Sequence, residues 1–367
     1  MSKVYFTDLR TSPNRNLFQK LDDLLSRVKI GAIIKKDSIV AIKLHFGEEG
    51  NTAYVRPVFL RTIVNRIKAL GAKPFLTDTT TLYKGSRSDA VSHLTTAIHN
   101  GFDFSTVGCP LIIADGLRGS HGAKIRIDGE ILQSVSIAKD IVDADSLIVV
   151  THFKAHELSG FGGALKNVGM GCATKEGKLV QHSMVAPKIN TKQCVGCELC
   201  TGYCPVNAIS VTDKKASIDE KKCIGCGECI MICRVKAIEI QWVQPQDVFQ
   251  KTMVEHAYGA LKGKEKRSLF VNFLIQISPA CDCYPHSDAP IVQDIGILAS
   301  TDPVSIDAAS CDLVNREPSL PHTAIKKSLK EGEDKWKALF PSIDWNIQLD
   351  HAERLGMGER AYTLIKI

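Results

Sequence analysis

The stretch SLIVVTHFKAHELSGFGGALKNVGMG, residues 146–171, changes character a third of the way along. SLIVVTHF (146–153) is a continuous apolar run, the pattern of a strand buried on both faces. From about 153 to 172 no periodicity survives, and glycines gather around His152, Lys154, His156 and Lys166. The stretch reads as a loop after the strand. Strand followed by glycine loop is how α/β proteins present ligand sites at the carboxyl ends of their strands. Glycine admits positive φ and lets the backbone approach something bound. Gly160, Gly162, Gly163, Lys166 and Asn167 are therefore the candidate cofactor-binding set, with turn capping the plainer role for Asn167. His156, Lys166 and His152 are candidate catalytic residues. The pattern is neither GxGxxG nor GK followed by Ser or Thr.

Working outward, the flanking sequence alternates between strand and helix patterns. SIVAIKLHF (38–46), KPFLTD (73–78) and PLIIADG (110–116) read as strands, VRPVFLRTIVNRIKALG (55–71) and DAVSHLTTAIHNGF (89–102) as helices. After residue 241 the alternation resumes, with a helix at 252–263, strands at 268–277 and 293–300, and a helix at 305–316. This alternation predicts an α/β fold with a parallel or mixed sheet, in one or two lobes around a cleft.

Between the two halves lies an internal repeat of 29 residues, in which CVGCELCTGYCPVNAISV (194–211) matches CIGCGECIMICRVKAIEI (223–240). The expected division is an α/β domain over 1–187, a small insert over 188–241 and the rest of the α/β domain over 242–367. The chain has 13 cysteines, eight of them in this repeat. No secretory signal pattern opens the sequence, so they point to metal rather than disulfides, and to a cytoplasmic location. The insert resembles bacterial-type two-cluster ferredoxins. In those proteins the fourth cysteine of each half ligates the other half's cluster. The resemblance implies two [4Fe–4S] clusters, one on Cys194, Cys197, Cys200 and Cys233 and the other on Cys223, Cys226, Cys229 and Cys204. Pro205 follows one fourth cysteine, whereas Arg234 follows the other.

Most of the chain is identified as a member of the iron–sulfur family known as domain of unknown function 362. KLHFGEEGN (43–51), TDTTTLYKGSR (77–87), HFKAHELSGFGGALKNVGMG (152–171), CDC (281–283) and DIGILASTDPVSIDAAS (294–310) carry that resemblance. It implies an iron–sulfur protein and brings no reaction with it. Over a shorter span, His156 with SGFGGALK is similar to the HxxAGxSGGxK stretch of the lactate-racemase family. There the lysine holds a nickel-pincer nucleotide and the histidine belongs to the active site. Carried over, His156 would be catalytic and Lys166 would bind cofactor or substrate, while Asn167 departs from that pattern.

Cys281 and Cys283, at i and i+2, form a candidate third metal or redox site with Cys172 or a histidine as a further ligand. Cys109 and Cys311 read as core. Asp78 ends an apolar strand and is a further catalytic candidate, with Glu48 and His45 as wall residues. Asp302 reads as a helix start.

The formal charge of +6 is spread in small groups, which excludes a nucleic-acid partner. No run nears the roughly 18 apolar residues of a membrane span. The expected function is an oxidoreductase passing electrons through two clusters to a ligand, or to a further metal or organic cofactor, in the cleft. A redox partner protein and a small-molecule ligand are the expected partners. The alternatives are a ferredoxin-type carrier without chemistry of its own, and a non-redox, racemase-like enzyme with accessory clusters. The density of titratable residues at strand ends favours an enzyme, since a pure carrier does not require it.

Overall fold

All seven residues of Ser146–His152 are buried, and the strand sits in the interior of the largest sheet. A computed structural model describes residues 1–367 apart from 84, 184–185, 224–226 and 242–243 and the side chain of residue 231. Cys226 therefore lies outside the described residues. The sheet comprises β1 (Ser2–Asp8), β2 (Ile39–Lys43), β3 (Lys73–Asp78), β4 (Leu111–Ile113), β5 (Ser146–His152), β6 (Ser268–Leu274), β7 (Gly296–Ser300) and β8 (Tyr362–Lys366). Their spatial order is β8-β1-β7-β6-β5-β2-β3-β4. Only β7 runs against the rest.

Alternate residues of each strand serve opposite layers. On β5, Leu147 and Val149 join one core, whereas Ile148 and Val150 join the other. Helices α1 (Leu17–Arg27), α2 (Pro57–Ala69) and α3 (Ala90–His99) cover the second face. The helix α2 shows why: Pro57 opens it, and Phe59, Leu60, Ile63, Val64 and Ile67 recur at helical spacing and are buried. The first face is covered by α4 (Ala164–Gly169), α6 (Gln246–Leu261), α7 (Pro303–Arg316) and α8 (Asn346–Arg354), with α5 (Lys175–His182) packed on α6. This is an α/β fold of three layers.

From β2 the chain steps outward to β3 and β4, and from β5 it steps the other way to β6. Adjacent strands whose connections leave in opposite directions open a crevice at their carboxyl ends. Lys43, Asp78 and His152 end the three strands beside it.

The expectation of a loop across 153–172 is corrected. Lys154–His156 pairs with Gly160–Gly162 as a short hairpin, and α4 follows at once. A hairpin this short offers no alternation to read.

Residues 188–241 form a separate small core around Cys200, Ile209, Ala216, Cys229 and Ile238. Their ends meet, because Lys188–Ile189 pairs with Ile238–Glu239. The 29-residue repeat persists in the backbone. Glu198 and Gly227 both take positive φ and precede short helices; Asn207 and Lys236 also take positive φ. Among the described residues no helix is long and apolar enough to cross a membrane.

Candidate functional site

The crevice opens into a cavity of about 800 Å³. Of the sequence candidates, His45, Glu48, Asp78, His156, Lys166, Asn167, Cys281 and Cys283 line it, brought there by the ends of β2, β3, β5 and the loop after β6. His152 is not among the lining residues.

Asp78 ends β3 in a dense charge network. Its Oδ1 lies 3.0 Å from Lys43 Nζ and accepts the Thr79 N–H, while its Oδ2 lies 3.6 Å from Arg87 Nη1. Burial opposes its ionisation, but Lys43, His93 and Arg87 outweigh it and hold the carboxyl below its ordinary value. Lys43 also donates to Leu44 O (2.9 Å) and Asn167 Oδ1 (2.7 Å), so its three protons are all engaged. Asn167 in turn donates to Val150 O and Thr151 Oγ1. Asn167 thus ties α4 to β5 and to Lys43.

His156 is buried, with Nδ1 2.8 Å from Ser159 Oγ, and Ser159 donates its single hydroxyl proton to Phe161 O. The Leu158 N–H also approaches Nδ1, at 3.4 Å, but the 2.8 Å contact is the shorter; the hydroxyl therefore accepts from Nδ1–H, and the lone pair of the ring is on Nε2. Burial first, then Lys166, His182 and Lys154, pushes this histidine well below its ordinary value, so it is neutral. His45 is the converse. Its Nδ1 accepts the Gly47 N–H at 2.9 Å, which puts the ring proton on Nε2. Burial and then Arg87, Lys154, Lys43 and Lys166 keep it neutral too.

Lys166 is partly buried and its Nζ donates to Cys281 Sγ at 3.4 Å. Burial works against its charge, but Cys281, Cys283 and Glu157 more than offset this and raise it above its ordinary value. A hydrogen bond from the Cys283 thiol holds Cys281 well below the usual thiol range against its burial, and Lys166 adds to the effect. The same bond pushes Cys283 up. Between them, Asp282 turns away from the cavity onto His152 Nδ1 (2.7 Å) and Lys154 Nζ (3.4 Å). The Nε2 of His152 faces the carbonyls of Ile275 and Gln276. His152, proposed from sequence as catalytic, instead anchors the CDC turn, because both of its nitrogens are used for that.

The glycines are corrected in the same way. Gly163 opens α4, and Asp307 of α7 accepts from Ala164 N (2.7 Å) and Leu165 N (2.9 Å). A Cβ on Gly163 would stand 2.3 Å from Asp307 Oδ1, and one on Gly160 would stand 2.4 Å from Trp345 Cβ. The helix start that the sequence assigns to a ligand is filled by the protein's own carboxylate, since a buried helix end needs a partner. Gly162 alone among the three borders the cavity lysines, near Lys166 Cδ (3.2 Å) and Lys154 Cε (3.4 Å). Cys172 is in the core, where burial pushes its thiol up to about 11, and it does not join Cys281 and Cys283. Cys109 and Cys311 are core residues, and Asp302 caps α7, as their sequence context implies.

The sequence reading misses Lys43, Arg87 and Lys178. Lys178 Nζ donates to Thr79 Oγ1 and Ala173 O in the cavity wall. Burial pushes it down to about 8 against the pull of Asp115 and Asp78. The charge of Lys43 at the end of an apolar strand was a signal available beforehand; Lys178 on the mixed helix KEGKLVQH gave none.

The cysteines of 188–241 line two further cavities. Cys194, Cys197, Cys200 and Cys233 surround one; Cys204, Cys223 and Cys229 border the other, with Cys226 outside the described residues. Backbone N–H groups of Ala208, Ala216 and Ala237 point at the sulfurs of Cys204, Cys194 and Cys233 at 3.1–3.4 Å. Four-iron clusters take their cysteines at separate corners and are tuned by such bonds. The donor set therefore fits. Among the described residues no three His, Cys, Asp or Glu converge on one point as a single ion would require.

Residues 40–312 match the family described as a domain of unknown function (DUF362). The chain belongs to the DUF362 family. No curated protein matches it. Among solved structures it is similar to the lactate racemase apoprotein from Thermoanaerobacterium thermosaccharolyticum, at 14% identity and a TM-score of 0.38. That match covers 74% of this DUF362 chain and 50% of the racemase chain, so this chain spans about half the length of that relative.

Proposed function

We propose that this DUF362 protein is an iron–sulfur oxidoreductase acting on a small molecule held against Lys166, His156 and Cys281. Cys194, Cys197, Cys200 and Cys233 would hold one [4Fe–4S] cluster and Cys223, Cys226, Cys229 and Cys204 the other. Such clusters supply one-electron transfer at potentials between about −700 and +450 mV. One observation carries the reading. Gly227, in the wall of the second cysteine cavity, would place a Cβ 3.5 Å from Leu82 Cδ1, and Leu82 also lines the main cavity. Leu82 and the Gly227 backbone thus stand between the two spaces. On the cavity side, Lys166 supplies a cation for an anionic group, neutral His156 offers Nε2 as a proton acceptor, and neutral His45 offers Nε2–H as a donor.

A trifluoromethyl tag coupled through a thioether to Cys281 in anaerobic Cys283→Ser protein tests this. Dithionite reduction makes the clusters paramagnetic and is expected to shorten the tag's fluorine relaxation time, and more strongly when Cys197→Ser is added than when Cys223→Ser, which loses the nearer cluster, is added. Relaxation unchanged by reduction would overturn the reading.

A second reading is favoured by the two imidazoles of opposite tautomer on the same cavity. They suit proton removal and return at a carbon beside a carboxylate, racemase-like chemistry that needs no electrons. Incubation with L-lactate in D2O is then expected to place deuterium at C2, and both His156→Gln and His45→Gln would stop it. Absence of exchange would leave the redox reading alone.

A further inference from the structure

Cys281 and Cys283 are both in the cavity wall, and neither borders the two cysteine cavities of 188–241. The turn that Tyr284 N–H closes onto Cys281 O, at 3.1 Å, brings positions i and i+2 to one side. Asp282 pins that turn from behind through His152 and Lys154. Lys166 Nζ, 3.4 Å from Cys281 Sγ, is the cation that favours a thiolate there. No third ligand converges on the pair among the described residues, so a single metal ion lacks its coordination set. Two thiols at i and i+2 on one cavity wall, one of them beside a lysine ammonium, are the components of thiol–disulfide exchange.

We infer that Cys281 and Cys283 are a redox-active thiol pair that reduces a small-molecule disulfide bound in the cavity. Cys281 Sγ attacks one sulfur of the substrate, whose S–S bond breaks, and half of the substrate leaves as a thiolate. The Cys283 sulfur then attacks Cys281 Sγ in the mixed disulfide, its proton passing to the solution or to a departing thiolate. The second half leaves, and the Cys281–Cys283 bond closes. The substrate gains two electrons and the pair loses two; one disulfide, one thiolate and one thiol enter, and the same leave. Cys281 is 1% exposed, and the cavity of about 800 Å³ admits a small disulfide but not one held in a folded protein. Reopening the pair takes two electrons and one proton. That step rests on the redox reading above, in which two one-electron centres hold two electrons.

Anaerobic full-length protein treated with hydroxyethyl disulfide, then alkylated and peptide-mapped by mass spectrometry, tests the pair. The expected product joins Cys281 to Cys283 within one peptide and releases two thiols per chain. Cys283→Ser is expected to accumulate a mixed disulfide on Cys281 and release one thiol, and Cys281→Ser to leave Cys283 unmodified. Separate alkylation of Cys281 and Cys283 in the parent protein, or an adduct on Cys283 in Cys281→Ser, would overturn the inference. Adding dithionite-reduced protein to the oxidised form separates the two proposals. A bond that forms but is not reopened supports the thiol pair and sinks the electron path. A bond that never forms, while the reduced centres still pass electrons to a viologen dye, sinks the thiol pair alone.

Discussion

Lys178 places an ammonium where burial disfavours it, and among the described residues it donates to one hydroxyl and one carbonyl. Its value of about 8 in the folded chain lies below the ordinary 10.5. The unfolded chain therefore binds more protons between those values, and stability rises as pH climbs from about 8 to 10.5. Below pH 8 the buried charge costs stability in full. Lys178→Met is expected to raise the urea midpoint at pH 7 by the equivalent of about 1–3 kcal/mol and to remove that alkaline rise. Thr79 Oγ1 loses one bond but still donates to Gly171 O, so the Ala173 carbonyl is the acceptor that gives up its Lys178 proton without another bond in exchange. A variant less stable than the parent at pH 7 would contradict this account of the cavity's charge. Residues of this kind are where reading the sequence stops short. Asp78, His156, Lys166 and the CDC pair stood out because polar groups ended apolar strands or interrupted them. Lys178 and Arg87 acquire their roles only from the helix and loop that fold over the cavity.

At the scale of elements, α4 begins on a glycine because Asp307 must come within hydrogen-bonding distance of its first amides. Gly163→Ala puts a Cβ into that carboxylate, 2.3 Å from Oδ1, and is expected to cost about 2–4 kcal/mol by denaturant unfolding. Gly162→Ala meets only the flexible stems of Lys166 and Lys154, and its expected cost is under about 1 kcal/mol. Equal costs would contradict the assignment of Gly163 to the fold and Gly162 to the cavity. Elements with strong periodicity were legible: KPFLTD forms β3 at the positions its pattern gives, and the apolar stripe of α2 is buried as expected. The hairpin and α4 were not, because elements of three to six residues are set by what packs on them. Trp345 and Asp307, both distant in sequence, supply that packing.

For the whole molecule, the sequence indicated an α/β sheet from its alternation but gave no sign that β7 runs antiparallel between β1 and β6. That follows from chain connectivity, and a five-residue strand buried throughout has no direction in its composition. The 29-residue repeat was legible because cysteine spacing is itself the geometry: its two halves reappear with matched positive-φ positions and matched amide-to-sulfur bonds. What the sequence could not place is the seam where Gly227 meets Leu82, on which the electron path of the redox reading depends. That reading stands on the cysteine cavities holding clusters in the crossed arrangement. Iron and acid-labile sulfide per chain, measured on anaerobically purified parent and Cys204→Ser proteins, test it most directly. The parent is expected to hold about eight irons and Cys204→Ser about four, with the cluster on Cys194, Cys197, Cys200 and Cys233 retained. Four irons or fewer in the parent, or no loss on replacing Cys204, would contradict it.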